Sequence, residues 1–339
     1  PVWLSKTPPF ILEGTLLTQQ LQRLPRCIQP DRRMMCMGYA YCLPVLYCTT
    51  IGYMVRLNVR IALAYQVQAQ GADFIFNIQA AYTPLQKVSA EQLVISPMGT
   101  CEQGIDDVTH NRTLRLHAPT GPLALTYSAT IDLHHHLALT TDLQEIPVAQ
   151  LPTAVLPYLY PSRYCQSDVL GNMVMGLFGA LPPGYARVVA VQTWVQAHVT
   201  FKSNTSNSAT SALDTLRDRV GVCRDFAHLM IALCRALNMP ARFSTGTDFG
   251  ADPVLGPPDF HAYVEVYLSH RWYIFDPSGT AIPLGFIRIG TGRDAADVSI
   301  ATIFGSVVSE QPVINVTADA GPHGQYMLPT ASVYGISTA

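Results

Sequence analysis

Three residues in the carboxyl-terminal half of the sequence have the types and the order of a nucleophilic catalytic site. Cys223 opens an apolar stretch with helical spacing, and the amides and dipole at a helix amino terminus favour a thiolate. His261 lies near the start of an alternating segment, and Asp276 lies at the end of the next one. If these segments pair as strands, His261 and Asp276 lie side by side. A cysteine nucleophile, a histidine base and an orienting carboxylate would then be present.

The surrounding segments indicate how these side chains are positioned. Gly221 allows a tight turn before the helix that Cys223 opens. Residues 260–268 and 271–276 are rich in aromatic and β-branched residues, which predicts two strands, and Ser269-His270 suits the two-residue loop of a hairpin. Further predicted elements are helices over 168–178, 185–199 and 211–220, a polar loop over 201–210, a strand over 241–246, and a loop over 248–259 that borders the cleft.

Three motifs around these residues resemble the transglutaminase-like superfamily. They are Gly-x-Cys at 221–223, His-Ala-Tyr-x-Glu at 261–265 and Trp-x-x-x-Asp-Pro at 272–277. This superfamily has a papain-like Cys-His-Asp fold and includes transglutaminases, peptide N-glycanases and bacterial proteins described as cysteine proteases. The resemblance is strong over residues 157–305. It is weaker over 55–152, which resembles the amino-terminal β domain of the bacterial branch.

The resemblance implies a role for each residue of the triad. Cys223 would be the nucleophile, His261 the base and Asp276 the orienting group. The implied activity is cysteine-dependent acyl transfer or hydrolysis on amide bonds of a protein or peptide substrate, through a thioester, with a protease or amidase favoured. A protein-glutamine transamidase is the alternative, and a non-catalytic binding module that keeps the fold is the second.

No cofactor is expected for this chemistry. The Asp-x-Asp-x-Asp-Gly run of a calcium loop does not occur in the sequence. The backbone amide of Cys223 is one expected oxyanion donor, and the sequence identifies no second donor.

The expected fold class is α+β. The prediction is an all-β sandwich domain followed by a papain-like transglutaminase core, in which the catalytic helix packs on an antiparallel sheet. The predicted divisions are an atypical extension over 1–53, the β-sandwich over 54–150, a linker over 151–160, the catalytic domain over 161–320 and a carboxyl-terminal tail over 321–339.

Residues 1–53 differ in pattern from the rest of the sequence. Residues 34–55 carry no charge and follow Arg32 and Arg33, so by length they could span a membrane or act as a signal anchor. Pro44 and several polar residues argue against a span, and membrane association is not expected. A second interpretation is that the natural chain begins at Met54, and a third is a structured or disordered extension. In each case we expect these residues to contribute little to the catalytic core.

Composition excludes some classes of function. The 339 residues carry a formal net charge of −2 and 13% charged residues, without a basic patch, so nucleic-acid binding is not expected. The eight cysteines include no Cys-x-x-Cys pair, which favours reduced thiols and a cytoplasmic location. The sequence leaves the oligomeric state open.

Several other polar residues have a structural interpretation that is stronger than a functional one. His134, His135 and His136 would alternate between the faces of a strand, so they cannot all bind one metal ion. His228 follows Cys223 by five residues and faces away from it on the helix, which favours a packing role. Arg224-Asp225 is expected to be a solvated pair or a contact at the cleft rim.

A metal site is the alternative to the catalytic triad. It would use Cys223, His228, His261 and Asp276. The sequence lacks the paired spacing typical of metal ligands, so the catalytic interpretation is preferred.

Overall fold

The computed structural model describes residues 54–250, 259–322 and 324–339. The predictions for residues 1–53, and for most of the loop before His261, lie outside these ranges. The helices are α1 (Gly171–Phe178), α2 (Tyr185–His198), α3 (Ala212–Asp218) and α4 (Cys223–Ala236). The strands are β1 (Met54–Phe76), β2 (Gln86–Ser96), β3 (Cys101–Ile105), β4 (Arg112–Ala118), β5 (Gly121–His134), β6 (His136–Ala138), β7 (Thr200–Phe201), β8 (Val220–Gly221), β9 (Ala241–Asp248), β10 (His261–Leu268), β11 (Arg271–Phe275), β12 (Phe286–Gly292), β13 (Ala301–Ser309), β14 (Val313–Asp319) and β15 (Gly335–Ser337).

The amino-terminal domain is built around the long strand β1. Along one edge β1 pairs with β5 and then β4, and along the other with β14 and then β13, all antiparallel. Its register shifts between Val67 and Ala72. Gly71 in this bend has φ 79°, and a Cβ there would lie 2.8 Å from the Ala118 carbonyl oxygen, so glycine suits the position. The predicted all-β domain is confirmed, with its seven strands joined in one hydrogen-bonded sheet rather than in two.

Strands β13 and β14 belong to this amino-terminal sheet. The sequence division placed them within the catalytic domain, at 161–320, but both pair with β1. Ile314 is buried in the same apolar cluster as Leu57 and Phe74 of β1. The chain therefore returns to its first domain after completing the second. Nothing in the local pattern of residues 301–319 specifies a partner more than 200 positions earlier.

The catalytic sheet has the strand order β11-β10-β9-β12 and is covered by α4. Every residue of β10 is buried, and so are eleven of the fourteen residues of α4. The predicted hairpin is present, with Leu268 paired to Arg271. Its loop residues Ser269 and His270 have φ 43° and 63°, the conformation that a tight two-residue hairpin requires. The α+β prediction, with a catalytic helix on an antiparallel sheet, is confirmed.

A buried carboxylate pairs with two arginines on the face of the sheet opposite α4. Glu265 of β10 is fully buried and accepts a hydrogen bond of 2.6 Å from Arg242 Nε and another from Arg288. Burying one charge is costly unless it is paired, and these two guanidinium groups supply the partners. The partners of Glu265 are therefore Arg242 of β9, the adjacent strand, and Arg288 of β12, the strand beyond it.

Residues 321–339 are integrated into the fold at their end, unlike the predicted tail. Strand β15 pairs with β6, and residues 335–338 are buried. Arg288 Nη2 donates a hydrogen bond of 2.8 Å to Thr338 Oγ1. The predicted linker is also packed, since Leu151 and Val155 lie in a buried apolar cluster with Tyr267. Both segments are held by partners distant in sequence.

The free edge of β12 is covered by two side-chain amides from the amino-terminal domain. Gln86 donates to the Arg288 carbonyl at 2.8 Å and accepts from the Arg288 amide at 2.9 Å. Asn111 makes the same pair of hydrogen bonds with the amide and carbonyl of Thr291, at 2.9 and 2.8 Å. Each side-chain amide takes the place of a peptide group on a neighbouring strand. This arrangement joins the two domains.

No helix among the described residues has both the length and the apolar composition of a membrane span.

Replacing Gln86 with Met should destabilise the folded chain by about 1–3 kcal/mol, because it keeps the side-chain volume but leaves the buried Arg288 amide without its acceptor. Chemical denaturation followed by fluorescence would measure the free energy of unfolding. The matched control is Gln92→Met on the same strand, where the side chain is exposed. Equal effects of the two substitutions would contradict the role assigned to Gln86.

Candidate active site

The start of α4 is shaped by the carboxylate of Asp225. This side chain is fully buried; its Oδ2 accepts a hydrogen bond of 2.9 Å from the Val222 amide, and its Oδ1 accepts one of 2.8 Å from Ser206 Oγ. A Cβ on Gly221 would lie 2.6 Å from the Asp225 Cβ, so the helix start needs glycine there. Asp225 is therefore not half of a solvated pair, as the sequence suggested. It holds the turn that places Cys223 at the first position of the helix.

Arg224 attaches the polar loop over residues 201–210 to this helix start. Its two terminal nitrogens donate to the carbonyl oxygens of Asn207 and Thr210, at 2.9 and 2.8 Å. Its guanidinium carbon lies 4.8 Å from the centre of the Tyr164 ring, within cation–π range. The loop therefore lies beside Cys223, and Arg224 lines the cavity described below.

His261 and Asp276 are brought together by the β10–β11 hairpin. His261 Nε2 lies 3.3 Å from Asp276 Oδ1. The same carboxylate accepts hydrogen bonds from the amide and hydroxyl of Ser278, at 3.0 and 2.6 Å, and from the Ala281 amide, at 2.9 Å. Because Nε2 faces Asp276, Nδ1 is the imidazole nitrogen available to Cys223. The structure thus brings the three predicted residues into one site.

The electrostatics of this site favour a protonated imidazole. Burial lowers the pKa of His261, but the hydrogen bond to Asp276 and the adjacent Cys223 sulfur together raise this pKa well above its usual value. Burial raises the pKa of Asp276, whereas its hydrogen bonds from His261, Ser278 and Ala281 lower it, with a net decrease. The site therefore pairs an ionised Asp276 with a protonated His261.

The other thiols of the described residues lie in different surroundings. Burial raises the pKa of Cys165 to about 12 and also raises that of Cys234. Cys101 is exposed on β3 of the amino-terminal domain. Cys223 is partly buried, and its sulfur lies 3.9 Å from the Phe260 carbonyl oxygen. Of these four thiols, Cys223 is the one beside His261.

A second carboxylate lies behind the catalytic histidine. Asp248, at the end of β9, lies 3.5 Å from the Tyr263 hydroxyl, and the Tyr263 ring packs edge-on against His261 at 4.7 Å. Burial raises the pKa of Asp248 to about 6; His261 and Tyr263 oppose this increase, and Asp276 adds to it. Sequence reasoning placed Asp248 in a cleft loop and did not select it, because a raised pKa depends on burial that no local pattern shows.

His228 has the packing role that the sequence predicted. It is fully buried, its ring stacks on Tyr164 at 4.9 Å, and its Nε2 accepts a hydrogen bond of 3.2 Å from the Ala295 amide. Burial lowers its pKa well below the usual value, so the ring is neutral. With Nε2 directed at Ala295, His228 does not join the triad in the alternative metal site. Within the described parts of the chain, no group of three or more His, Cys, Asp or Glu side chains could hold a metal ion.

A cavity of about 280 Å³ opens beside Cys223 and His261. Its walls come from the start of α4, from β9 and β10, from Tyr164 and Ser208, and from residues 295–300. An amide substrate in this space would meet the sulfur, the imidazole and the amide at the start of α4. Residues 290–297 lead into one of these walls.

Comparison with known proteins gives the family. The profile of the transglutaminase-like superfamily matches residues 174–277, and that of the bacterial transglutaminase amino-terminal domain matches residues 55–154. The crystal structure of a protein from Cytophaga hutchinsonii, described as a "putative cysteine protease", has a TM-score of 0.77. It is 36% identical, over 84% of this chain and 98% of that one. This chain belongs to the transglutaminase-like superfamily. The family assignment from sequence is confirmed.

Two mycobacterial relatives match a smaller part of this transglutaminase-like chain than the Cytophaga hutchinsonii protein does. An uncharacterized protein of Mycobacterium leprae is 32% identical over 117 residues, and one of Mycobacterium tuberculosis is 33% identical over 134. These matches take in 33% and 36% of this chain and 42% and 43% of the relatives. The chain therefore matches less than half of the length of either mycobacterial protein.

Replacing Asp276 with Asn should lower the pKa of His261, because both the negative charge and the best acceptor for its proton are lost. A neutral His261 then places no positive charge beside the Cys223 sulfur. We expect alkylation of Cys223 by iodoacetamide to slow several-fold at pH 6, and the difference to narrow towards pH 9. Peptide mass spectrometry would give the rates, with Asp132→Asn in the amino-terminal domain as control. Equal rates for wild type and Asp276→Asn at both pH values would contradict this electrostatic role.

Replacing Asp248 with Asn should change the dependence of stability on pH. The pKa of Asp248 in the folded chain, about 6, exceeds the usual value of an aspartate. Between these two pH values folding takes up a proton. The contribution of Asp248 to wild-type stability therefore falls as the pH rises from the lower value to the higher. Asn has no charge to bury. The melting temperature of Asp248→Asn relative to wild type should therefore increase from pH 4 to pH 7.5. A difference that does not vary with pH would show that Asp248 is not a titrating buried group.

Proposed function

We propose that this protein hydrolyses amide bonds of proteins or peptides through a thioester on Cys223. One observation carries the proposal. Cys223 at the start of a helix lies beside His261, His261 lies beside Asp276, and a cavity opens next to Cys223 and His261. Nucleophile, base and orienting carboxylate are the three groups that thiol-dependent acyl transfer needs. The similarity to the Cytophaga hutchinsonii protein supports hydrolysis over transamidation.

The acylation step begins from His261 protonated on Nδ1 with the proton that the Cys223 thiol has given up. The thiolate attacks the amide carbonyl carbon, a C–S bond forms, and the carbonyl electrons move to oxygen. The Cys223 amide lies at a helix amino terminus, where no acceptor within the helix uses it, and donates to this oxyanion. The tetrahedral intermediate then collapses, the C–N bond breaks, and His261 gives its proton to the departing amine.

The deacylation step returns the enzyme to its starting state. His261, now neutral, takes a proton from water as the water oxygen attacks the thioester carbonyl. The C–S bond breaks, the acid leaves, and His261 keeps the proton taken from water, so the sulfur is again a thiolate beside a protonated imidazole. Asp276 keeps Nε2 protonated and Nδ1 directed at the sulfur throughout. A primary amine in place of water would give transamidation by the same steps.

An active ester tests acyl transfer without knowledge of the natural substrate. With N-acetyl-phenylalanine p-nitrophenyl ester, we expect a burst of one nitrophenolate per chain and an acyl adduct on Cys223 that hydroxylamine removes. His261→Ala should slow acylation by about 10²–10⁴-fold, because general base catalysis is lost. Intact-protein and peptide mass spectrometry locate the adduct, and stopped-flow absorbance gives the rate.

Two further variants complete this experiment. Cys101→Ser removes an exposed thiol remote from the site and should leave the burst unchanged, whereas Cys223→Ala should abolish it. Added dansylcadaverine distinguishes the acceptors: faster turnover with dansyl incorporation would indicate a transamidase. Absence of any adduct on Cys223 would refute acyl transfer and favour a binding module.

A further inference from the structure

We propose that the cavity beside Cys223 is a specificity pocket for one large apolar side chain on the acyl side of the attacked bond. This inference rests on the proposed function and adds a substrate class to it. Because the acyl group stays bonded to sulfur in the thioester, a cavity lined by Cys223 itself receives a group on that side of the bond.

The lining of the pocket is suited to an apolar group. Phe243, Phe260, Val298 and Ile300 form much of its wall. Among the described residues that line it, none is acidic. A cationic side chain would find no partner charge there and would lose its hydration, so lysine and arginine are disfavoured.

Both positively charged groups that line the pocket, His261 and Arg224, are already paired, and His261 has Asp276 as its partner. The terminal nitrogens of Arg224 donate to the carbonyl oxygens of Asn207 and Thr210. An acidic side chain would have to displace these hydrogen bonds or remain without a partner. The chemistry of the walls therefore favours an uncharged apolar side chain over either sign of charge.

Buried hydrogen bonds hold the pocket wall that residues 295–300 form, so the pocket is preformed. Asp294 accepts a hydrogen bond of 2.8 Å from the Tyr164 amide, and it is 1% exposed. His228 accepts from the Ala295 amide, and the buried Arg235 donates to the Arg293 carbonyl. Both His228 and Arg235 lie on α4, so the helix that carries the nucleophile also fixes the pocket wall. A preformed cavity binds without an ordering cost.

The size of the pocket limits its occupant to one group. Cavities for whole small-molecule ligands are roughly 300–1,000 Å³. The volume of about 280 Å³ lies just below this range, enough for one large side chain.

Thiol-reactive dipeptides with a chloromethyl ketone test this preference. Four acetylated reagents would be compared. The first carries Phe next to the ketone and the second carries Phe one position earlier. The third carries Gly at both positions, and the fourth carries Lys. We expect one of the Phe reagents to label Cys223 at least about tenfold faster than the Gly and Lys reagents, as burial of a large apolar group gives. Each rate is divided by the iodoacetamide rate of the same protein, which reports the thiol alone.

A matched pair of substitutions locates the preference in the pocket. Ala295→Phe fills the cavity and should lower the ratio of the Phe rate to the Gly rate several-fold. Ala296→Phe adds the same ring to the next residue, which is exposed and does not line the cavity, and should keep the wild-type ratio. Equal normalised rates for all four reagents, or equal ratios in these two variants, would overturn the proposal.

Binding to Cys223→Ala separates this inference from the proposed function. That variant cannot react, yet acetyl-phenylalanine amide should still perturb the NMR resonances of Ala295 and Phe260 at concentrations where acetyl-lysine amide does not. If the active ester gives no adduct but this binding is seen, the acyl-transfer proposal fails and the pocket stands. If the adduct forms but neither assay shows a preference for Phe, the pocket proposal fails and acyl transfer stands.

Discussion

Helix α4 packs against the catalytic sheet and against α2 and α3, and this enclosure fixes where Cys223 can lie. A helix with apolar residues around most of its circumference belongs inside a protein, so its polar residues must find partners there. Asp225 pairs with the turn before the helix and with Ser206. Arg235, near the other end, donates to the carbonyl oxygens of Ala241 and Tyr160. The same hydrogen bonds that make burial tolerable attach the surrounding loops to the helix.

Two aspartates near His261, Asp276 and Asp248, have pKa values shifted in opposite directions. Asp276 is buried but accepts hydrogen bonds from Ser278, Ala281 and His261, so its charged form is favoured. Asp248 is buried to a similar degree; among the described residues its hydrogen-bond partner is the Tyr263 hydroxyl at 3.5 Å, and burial dominates its pKa. The number of donors, rather than the depth of burial, separates the two. A permanent negative charge is therefore kept for the imidazole that must hold a proton.

Sequence reasoning was successful where the relevant pattern is local. The period of α4, the alternation of β10 and the paired turn residues Ser269-His270 are each contained within about fifteen positions. The order of Cys223, His261 and Asp276 then matched a known family. Long-range pairing was not visible in the same way: β13 and β14 return to β1, and residues near the chain end pack on Arg288. Burial of Asp225 was also missed, because a capping carboxylate and a solvated one look alike in sequence.

The side-chain amides that cover β12 also occupy an edge at which another strand could pair. An uncovered edge strand presents unpaired amides and carbonyls to any other strand, which is a route to intermolecular β-pairing and aggregation. Here Gln86 and Asn111 occupy that edge, and Ile287 and Ile289 of β12 are buried in the amino-terminal core. A catalytic domain separated from residues 54–150 would expose both the edge and these side chains. The amino-terminal domain therefore covers a surface through which separated catalytic domains could pair.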